Sequence, residues 1–284
     1  MRRSFLVVMA LLAMAAAVPA MAQPVVNEAT REGVRGVPDR WGLNLGSFWQ
    51  TFNTKIRADG KNGQGSDIDF EDELGLPSSA TNFDLSGFYR ISDRHRVDLA
   101  YLGWNRENSR TLEREIVWED VTYDVGVTVK ARYEGRMVNA IYKYSFFNNG
   151  KVTFGLNGGI SAIWSDAKLT GEGTVSGGGT ASGTVAESSS VVVPIPVVGM
   201  HFEMTLAKRF FWKVDGNFFA ADLSGYDGHV NEISTSLNYF FTRNIGVGAG
   251  FASNTIKVKK DGDNGDVNVR VGFSGAIANV MLAF

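Results

Sequence analysis

The segment Val267–Phe284, VNVRVGFSGAIANVMLAF, decides the fold. Counted back from the carboxyl end, Phe284, Leu282, Val280, Ala278 and Ala276 fall on alternate positions. Asn279 and Gly275 lie between them, and Ile277, Met281 and Ala283 make that second row mixed. Side chains along a β-strand alternate between two faces, so one face here is apolar to the final residue. A water-exposed sheet has to cover such a face. A barrel in a membrane does not, because hydrocarbon solvates its outside and closure removes every edge. The expected fold class is all-β: a closed, antiparallel, up-and-down transmembrane β-barrel.

The amino end agrees. MRRSFLVVMALLAMAAAVPAMA places Arg2 and Arg3 before the apolar run Phe5–Val18 and ends in the small-x-small triplet Ala20-Met21-Ala22. This is the pattern of a cleaved export signal, residues 1–22. Cleavage removes two of 28 basic residues and leaves 26 against 30 acids. That mild acidity argues against nucleic acid as a partner. Cysteine is absent, which excludes disulfides, thiol nucleophiles, thiolate metal sites and a cysteine-borne lipid anchor. Beyond the signal, the longest apolar run, Val191–Met200, contains two prolines. It is far shorter than the ~20 residues of a spanning helix.

Residues 23–40, QPVVNEATREGVRGVPDR, show no period and read as a periplasmic leader to the barrel domain, residues 41–284. Ten strands are expected, with eight as the alternative. They begin with Trp41–Ile56, Thr81–Ile91 and a third from Arg96 to about Val117. A fourth, Val121–Phe146, follows a turn at Glu119-Asp120. After the hairpin signal Asn148-Asn149-Gly150 come Lys151–Ser165, Val191–Leu206, Phe211–Ala221, Val230–Phe241, Ile245–Val258 and the terminal strand. Arg57–Ala80 reads as a long polar loop, and the Gly/Ser/Thr tract Thr170–Ser190 as flexible low complexity. Pro194 and Pro196 fall inside the sixth strand, where each removes a ladder donor, so a local bulge is expected there.

The connections near Ser92, Asn148, Lys208 and Arg243 are tight. Those around Lys61, Glu119, Gly177, Tyr226 and Asp263 are mostly longer, more polar or glycine-rich. This alternation is the asymmetry of outer-membrane barrels, with short periplasmic turns and longer external loops. With the cleaved signal, the ~10-residue alternating spans and the terminal Phe284, the chain resembles the small bacterial outer-membrane barrels of the OmpA/OmpX-like and opacity-protein group. The resemblance is one of architecture. It implies residence in the bacterial outer membrane, lipid and lipopolysaccharide as surroundings, and recognition of the strand ending in Phe284 by the barrel assembly machinery.

If the apolar faces meet lipid, the opposite faces form a lumen containing Asp84, Arg90, Asp98, Lys143, His201, Glu203, Lys213, Asp215 and Glu232. So narrow an interior requires such charges to pair or stay hydrated. A salt-bridged polar plug is expected, and a narrow wet conduit is the alternative. On the outside of the fourth strand Lys130, Arg132 and Arg136 share a face with Ala140, Tyr142 and Tyr144. They could contact lipopolysaccharide phosphates or pair with Glu134 and neighbouring acids.

No catalytic residues, metal or cofactor are expected. His201 and Glu203 share a strand face near the periplasmic end, His229 stands beside Asp227 and Glu232 outside, and His95 lies in a turn. None forms a recognisable hydrolytic motif. Two acidic clusters, Asp67/Asp69/Glu71/Asp72/Glu73 and Asp261/Asp263/Asp266, lack full EF-hand spacing and read as solvated loops. The function expected is a non-enzymatic outer-membrane barrel with a structural or surface-interaction role and mobile external loops. The alternatives are a narrow channel, and a membrane-embedded hydrolase acting on lipid A or peptides.

Overall fold

The computed structural model describes residues 40–61, 63–175, 183–223, 226–260 and 266–284. The export signal and nearly all of the leader lie outside these residues. In chain order the strands are β1 (Trp41–Ala58), β2 (Ile68–Asp69), β3 (Ser79–Ser92), β4 (His95–Thr111), β5 (Ile116–Trp118), β6 (Val121–Tyr123), β7 (Thr128–Asn148), β8 (Val152–Val175), β9 (Gly183–Ala207), β10 (Phe210–Leu223), β11 (Tyr226–Phe240), β12 (Ile245–Lys260) and β13 (Val267–Ala283). Ten of these are long and join antiparallel into a ring, which closes where β13 lies along β1 from Gly42↔Ala283 to Ala58↔Val267. Trp41 stacks on the terminal Phe284 at 4.5 Å, and backbone bonds of 2.8 and 2.9 Å tie the two residues at the seam.

The registers fix the shape. Hydrogen-bonded partners can be followed round the ring from Ile163 through Met137, Leu102, Asp84, Gly46, Asn279, Gly248, Asn238, Phe211 and Thr205. The path returns to β8 at Lys151. That offset of twelve residues over ten strands tilts the strands by about 40° from the barrel axis.

The outer surface divides into two zones. Trp41, Leu45, Trp49, Phe83, Leu99, Tyr101, Leu156, Ile160, Met200, Leu237, Phe251 and Val280 are exposed on the lower part of the ring. Above Trp49, β1 shows Thr51, Asn53, Lys55 and Arg57; above Val138, β7 shows Arg136, Glu134, Arg132 and Lys130. The lower zone is the lipid-facing band, and the strands continue well beyond it into water.

Inside, the order is reversed. Within the band the lumen is largely polar, with a small apolar cluster of Phe211, Phe240, Met281 and Ala283 at its foot. Above it, Phe48, Phe52, Trp104, Tyr133, Ile163, Leu169, Ile195, Ile256, Val258, Val269, Val271 and Phe273 pack into a single apolar core. The cause is the change of outer solvent: where water surrounds the wall, apolar surface is removed from it only by facing inward. The apolar row of β13 therefore changes face while the alternation itself continues unbroken. Phe284 to Ala276 point outward at even positions, whereas Phe273, Val271 and Val269 point inward at odd ones. Gly135 on β7 leaves room for the Trp104 ring, since a Cβ there would lie 2.1 Å from it.

Several expectations are corrected. The third strand stops at Thr111 and the fourth starts at Thr128; between them β5 and β6 form a separate hairpin round Glu119, whose φ is 53°. Residues 170–175 and 183–190, expected as flexible, extend β8 and β9. No bulge accompanies Pro194 and Pro196, because β8 and β9 stay in one register from Val152↔Met204 to Gly173↔Gly183. The β9–β10 pairing instead ends at Phe218↔Val198, so both prolines sit where that edge of β9 has no ladder to donate to.

The supposed polar loop 57–80 folds into the barrel mouth. Its Ile68, Phe70, Leu74 and Leu76 are almost wholly buried. Phe70 packs on Trp118 of β5 at 6.0 Å and on Tyr133 at 5.8 Å.

Candidate functional site

Two tiers lie on the barrel axis. The lower is a charge cluster built from five strands. Arg96 on β4 donates from Nε and Nη2 to the carboxylate of Asp98, at 2.6 and 2.8 Å, and from Nη1 to Glu203 on β9, at 2.5 Å. Lys143 on β7 bridges Asp98, at 3.0 Å, and Asp215 on β10. Lys213 faces Glu203 across the β9–β10 ladder, and Arg90 on β3 lies opposite Arg96. Alternation forces this arrangement, since each residue occupies an inward position of its strand and the narrow ring brings opposite walls within side-chain reach. Opposite signs meet across most of the space and neutralise one another there, whereas Arg90 faces the like-charged Arg96.

Asp84 and Glu232 stand slightly apart. Both line a cavity of about 280 Å³ together with Asn139, Asn217, Asn238 and Asn279, and Arg96, Asp98, Lys143, Lys213 and Asp215 of the charge cluster line the same space. Glu232 accepts hydrogen bonds from Asn139 at 3.2 Å, Asn217 at 3.2 Å and Ser161 at 3.4 Å. Its partners are amides and a hydroxyl, not cations.

The ring nitrogens of His201 face Asn157 and Ser145, not Glu203. Its Nδ1 faces Asn157 Oδ1 at 2.7 Å, and its Nε2 faces the Ser145 hydroxyl at 3.1 Å. The Asn157 amide donates to Met200 O and to Asn217 Oδ1, which turns its oxygen toward the ring. A hydroxyl, an imidazole and an amide thus lie in line, as in nucleophilic relays. Here all three side chains are enclosed, and the Ser145 N–H is spent on Arg94 O at 2.8 Å. Without access or free donors for an oxyanion the chain of bonds is structural. His95 bonds the Tyr142 hydroxyl, and His229 is exposed on the outer face of β11.

The upper tier is the apolar core, closed at the mouth by loop 59–78. Arg106 of β4 anchors that loop. Its side chain is 1% exposed. It pairs with Glu71 and donates to Thr54 Oγ1 at 2.5 Å and to Pro77 O at 3.2 Å, while lying 4.1 Å over the Phe52 ring. Tyr133, above the lipid band, donates structure to the same layer. Burial pushes its hydroxyl up to about 12, although the bond with Ser165 at 3.2 Å works in the other direction. The first acidic cluster is therefore not a solvated loop: Glu71 is held by Arg106, Glu73 pairs with Arg114 at 2.6 Å, and Asp69 accepts the backbone N–H of Asp72 at 3.0 Å. Of the second cluster, Asp261 and Asp263 lie outside the described residues. The sequence signal for this tier was four apolar residues, Ile68, Phe70, Leu74 and Leu76, inside a stretch otherwise rich in acids.

On the outer face of β7, Arg132 pairs with Glu134, and Lys130 lies 3.4 Å from Glu107. Arg136 has no ion pair among the described residues.

A closed ten-stranded barrel with a lipid-facing apolar belt and a polar lumen within it is the fold of an outer-membrane β-barrel protein. No protein-family model matches the chain, and no curated protein matches it. Among solved structures it is similar to the outer membrane protease OmpT from Escherichia coli, with 13% identity over 87% of this chain and 98% of that one, at a TM-score of 0.55. It also aligns with the outer membrane protein OprG from Pseudomonas aeruginosa, with 9% identity over 88% and 99% of the chains and a TM-score of 0.35. The Pseudomonas putida toluene transporter TodX aligns with 9% identity over 91% and 94% at 0.35. At such identities the likeness concerns fold alone.

Proposed function

We propose that this chain is a non-conducting, non-enzymatic barrel of the bacterial outer membrane that serves a structural or surface-interaction role. The observation that carries the reading is obstruction of the axis at two levels, by the apolar core around Trp104 and Phe273, which fills it, and by the ion pairs of Lys143 and Arg96, which cross the lumen beside the cavity they line. The two seals obey different chemistry, so a change that loosens one leaves the other. The part of the barrel standing in water then acts as a rigid platform. Its outer surface is polar and is available to surface partners. Residues 1–22 would be removed on export, residues 23–40 would remain as a periplasmic leader, and β13 with its terminal Phe284 would be the strand recognised during assembly. Lipopolysaccharide would surround the upper band, with Arg136 as the cation on β7 that its neighbours leave uncompensated.

Purified protein reconstituted in planar bilayers should give no steps of conductance in potassium chloride. Regular, reproducible steps would refute the reading. A second reading, a conduit for small solutes, is favoured by the polar cavity that the charge cluster lines. It requires both seals to part, and solute uptake into liposomes by the wild-type protein would establish it.

A further inference from the structure

Arg270 of β13 has cations on both sides. It lies directly opposite Lys55 of β1 and directly opposite Lys257 of β12. All three side chains point outward, between buried neighbours such as Ile56, Val258, Val269 and Val271. The next outward positions on the flanking strands are again basic, Arg57 on β1 and Lys259 on β12, although Lys259 stands opposite Asp227 of β11 and lies 3.9 Å from Asp266, just before β13. The row reaches β11, where His229 pairs with Lys257. Lys55 has Asp69 at 3.3 Å and Arg57 has Asp59 at 2.9 Å. For Arg270 and Lys257 the described residues provide no carboxylate within ion-pair distance. Like charges set directly opposite one another on a sheet are destabilising, so this part of the wall is unfavourable in the isolated chain.

Its position identifies what offsets the repulsion. Arg270 and Lys257 lie six residues along their strands beyond Ala276 and Phe251, the last apolar outward residues of β13 and β12. With the strand tilt that is about 15 Å up the barrel axis. The same three strands carry Trp49, Phe251, Val280 and Leu282 below. One continuous strip therefore offers hydrocarbon contact at its foot and, at its head, two cations without a carboxylate among the described residues, Arg270 and Lys257. A free anion would use only the upper part. An amphiphile with acyl chains and phosphates on a saccharide headgroup matches both.

Building on the surface-barrel reading above, we infer that the outer face of β1, β13 and β12 is a binding site for the phosphorylated headgroup of lipopolysaccharide, with Arg270 and Lys257 as its principal contacts. The site lies on strands distant from the Arg136 face of β7, and it does not depend on whether the lumen conducts.

The test uses the full mature protein, refolded in lipid-free detergent, and titrates bisphosphorylated lipopolysaccharide against its chemically dephosphorylated form. Binding is read by native mass spectrometry and by the temperature at which the heat-modifiable gel band shifts. The double variant Arg270→Gln/Lys257→Gln should bind the phosphorylated lipid about thirtyfold more weakly, five- to sixfold for each charge removed. Lys168→Gln, an exposed basic site on β8, should bind as wild type. In lipid-free detergent the double variant should be at least as heat-resistant as wild type, because its removal of charge relieves repulsion. Equal affinity of wild type and double variant would overturn the inference. So would equal affinity for dephosphorylated lipid, or a lipid-free double variant less stable than wild type, which would reveal a partner within the chain. Stabilisation by inorganic phosphate alone, matching that by the lipid, would overturn the choice of an amphiphile.

Discussion

Replacing Lys143 with methionine removes the cation that bridges Asp98 and Asp215 while keeping the length of the side chain. Asp98 retains both bonds from Arg96, so Asp215 bears most of the loss. Breaking a fully buried ion pair from one side costs about 3–5 kcal/mol, chiefly because the abandoned charge stays buried. Asp215 keeps 24% of its side chain exposed toward the cavity, and water there softens the penalty to about 2–3 kcal/mol. With a urea dependence of about 1–3 kcal/mol per molar, the unfolding midpoint should fall by about 1 M or more. Tryptophan fluorescence during urea unfolding from lipid vesicles measures it. The variant Lys143→Met/Asp215→Asn should recover at least half of the loss, because it removes the stranded charge as well. A single-variant loss below about 0.5 kcal/mol, or a double variant as unstable as the single one, would refute the view that the lower tier is a structural plug. Conductance should stay absent in both, since the apolar tier does not depend on Lys143.

Arg106→Met should release the loop that caps the mouth, because Glu71 is left enclosed without its cation; a loss of about 3 kcal/mol is expected locally. Limited proteolysis between residues 59 and 78 should accelerate while the barrel below remains resistant, and an unchanged cleavage rate would count against the anchor. Alkaline titration should expose Tyr133. Its folded hydroxyl holds its proton to about 12, whereas in the unfolded chain it ionises near the ordinary value of about 10. The contribution is thus complete below pH ~10 and declines as pH rises towards 12. Tyr133→Phe should flatten this part of the curve relative to wild type while costing no more than about 1 kcal/mol at neutral pH through the lost Ser165 bond; identical curves would contradict it.

The strand pattern was legible because alternation is a local property, and the tight turns at Ser92, Asn148 and Arg243 punctuate it. Ten strands, their antiparallel order and the outward row ending in Phe284 follow from that pattern and agree with the structure. Alternation also made a set of polar inner-face positions readable, since each stands between apolar outward neighbours. Which of them meet was not: Arg96, absent from the expected cluster, makes bonds to both Asp98 and Glu203, and His201 bonds Ser145 and Asn157 in preference to Glu203. Those pairings depend on the twelve-residue offset round the ring, which no single strand encodes.

By itself the sequence determined a barrel with one oily face, because lipid outside leaves a periodic imprint on every strand. Only the tertiary structure decided where along each strand the oily face turns inward. Near Gly275 the apolar residues of β13 pass from the outer to the inner row, and those of β1, β7 and β12 do so at comparable heights. The physical reason is that alternation records which face is apolar but not which solvent that face meets. Only the assembled wall, with its height above the band fixed by ten registers, distinguishes a side chain facing hydrocarbon from one packed in a core surrounded by water.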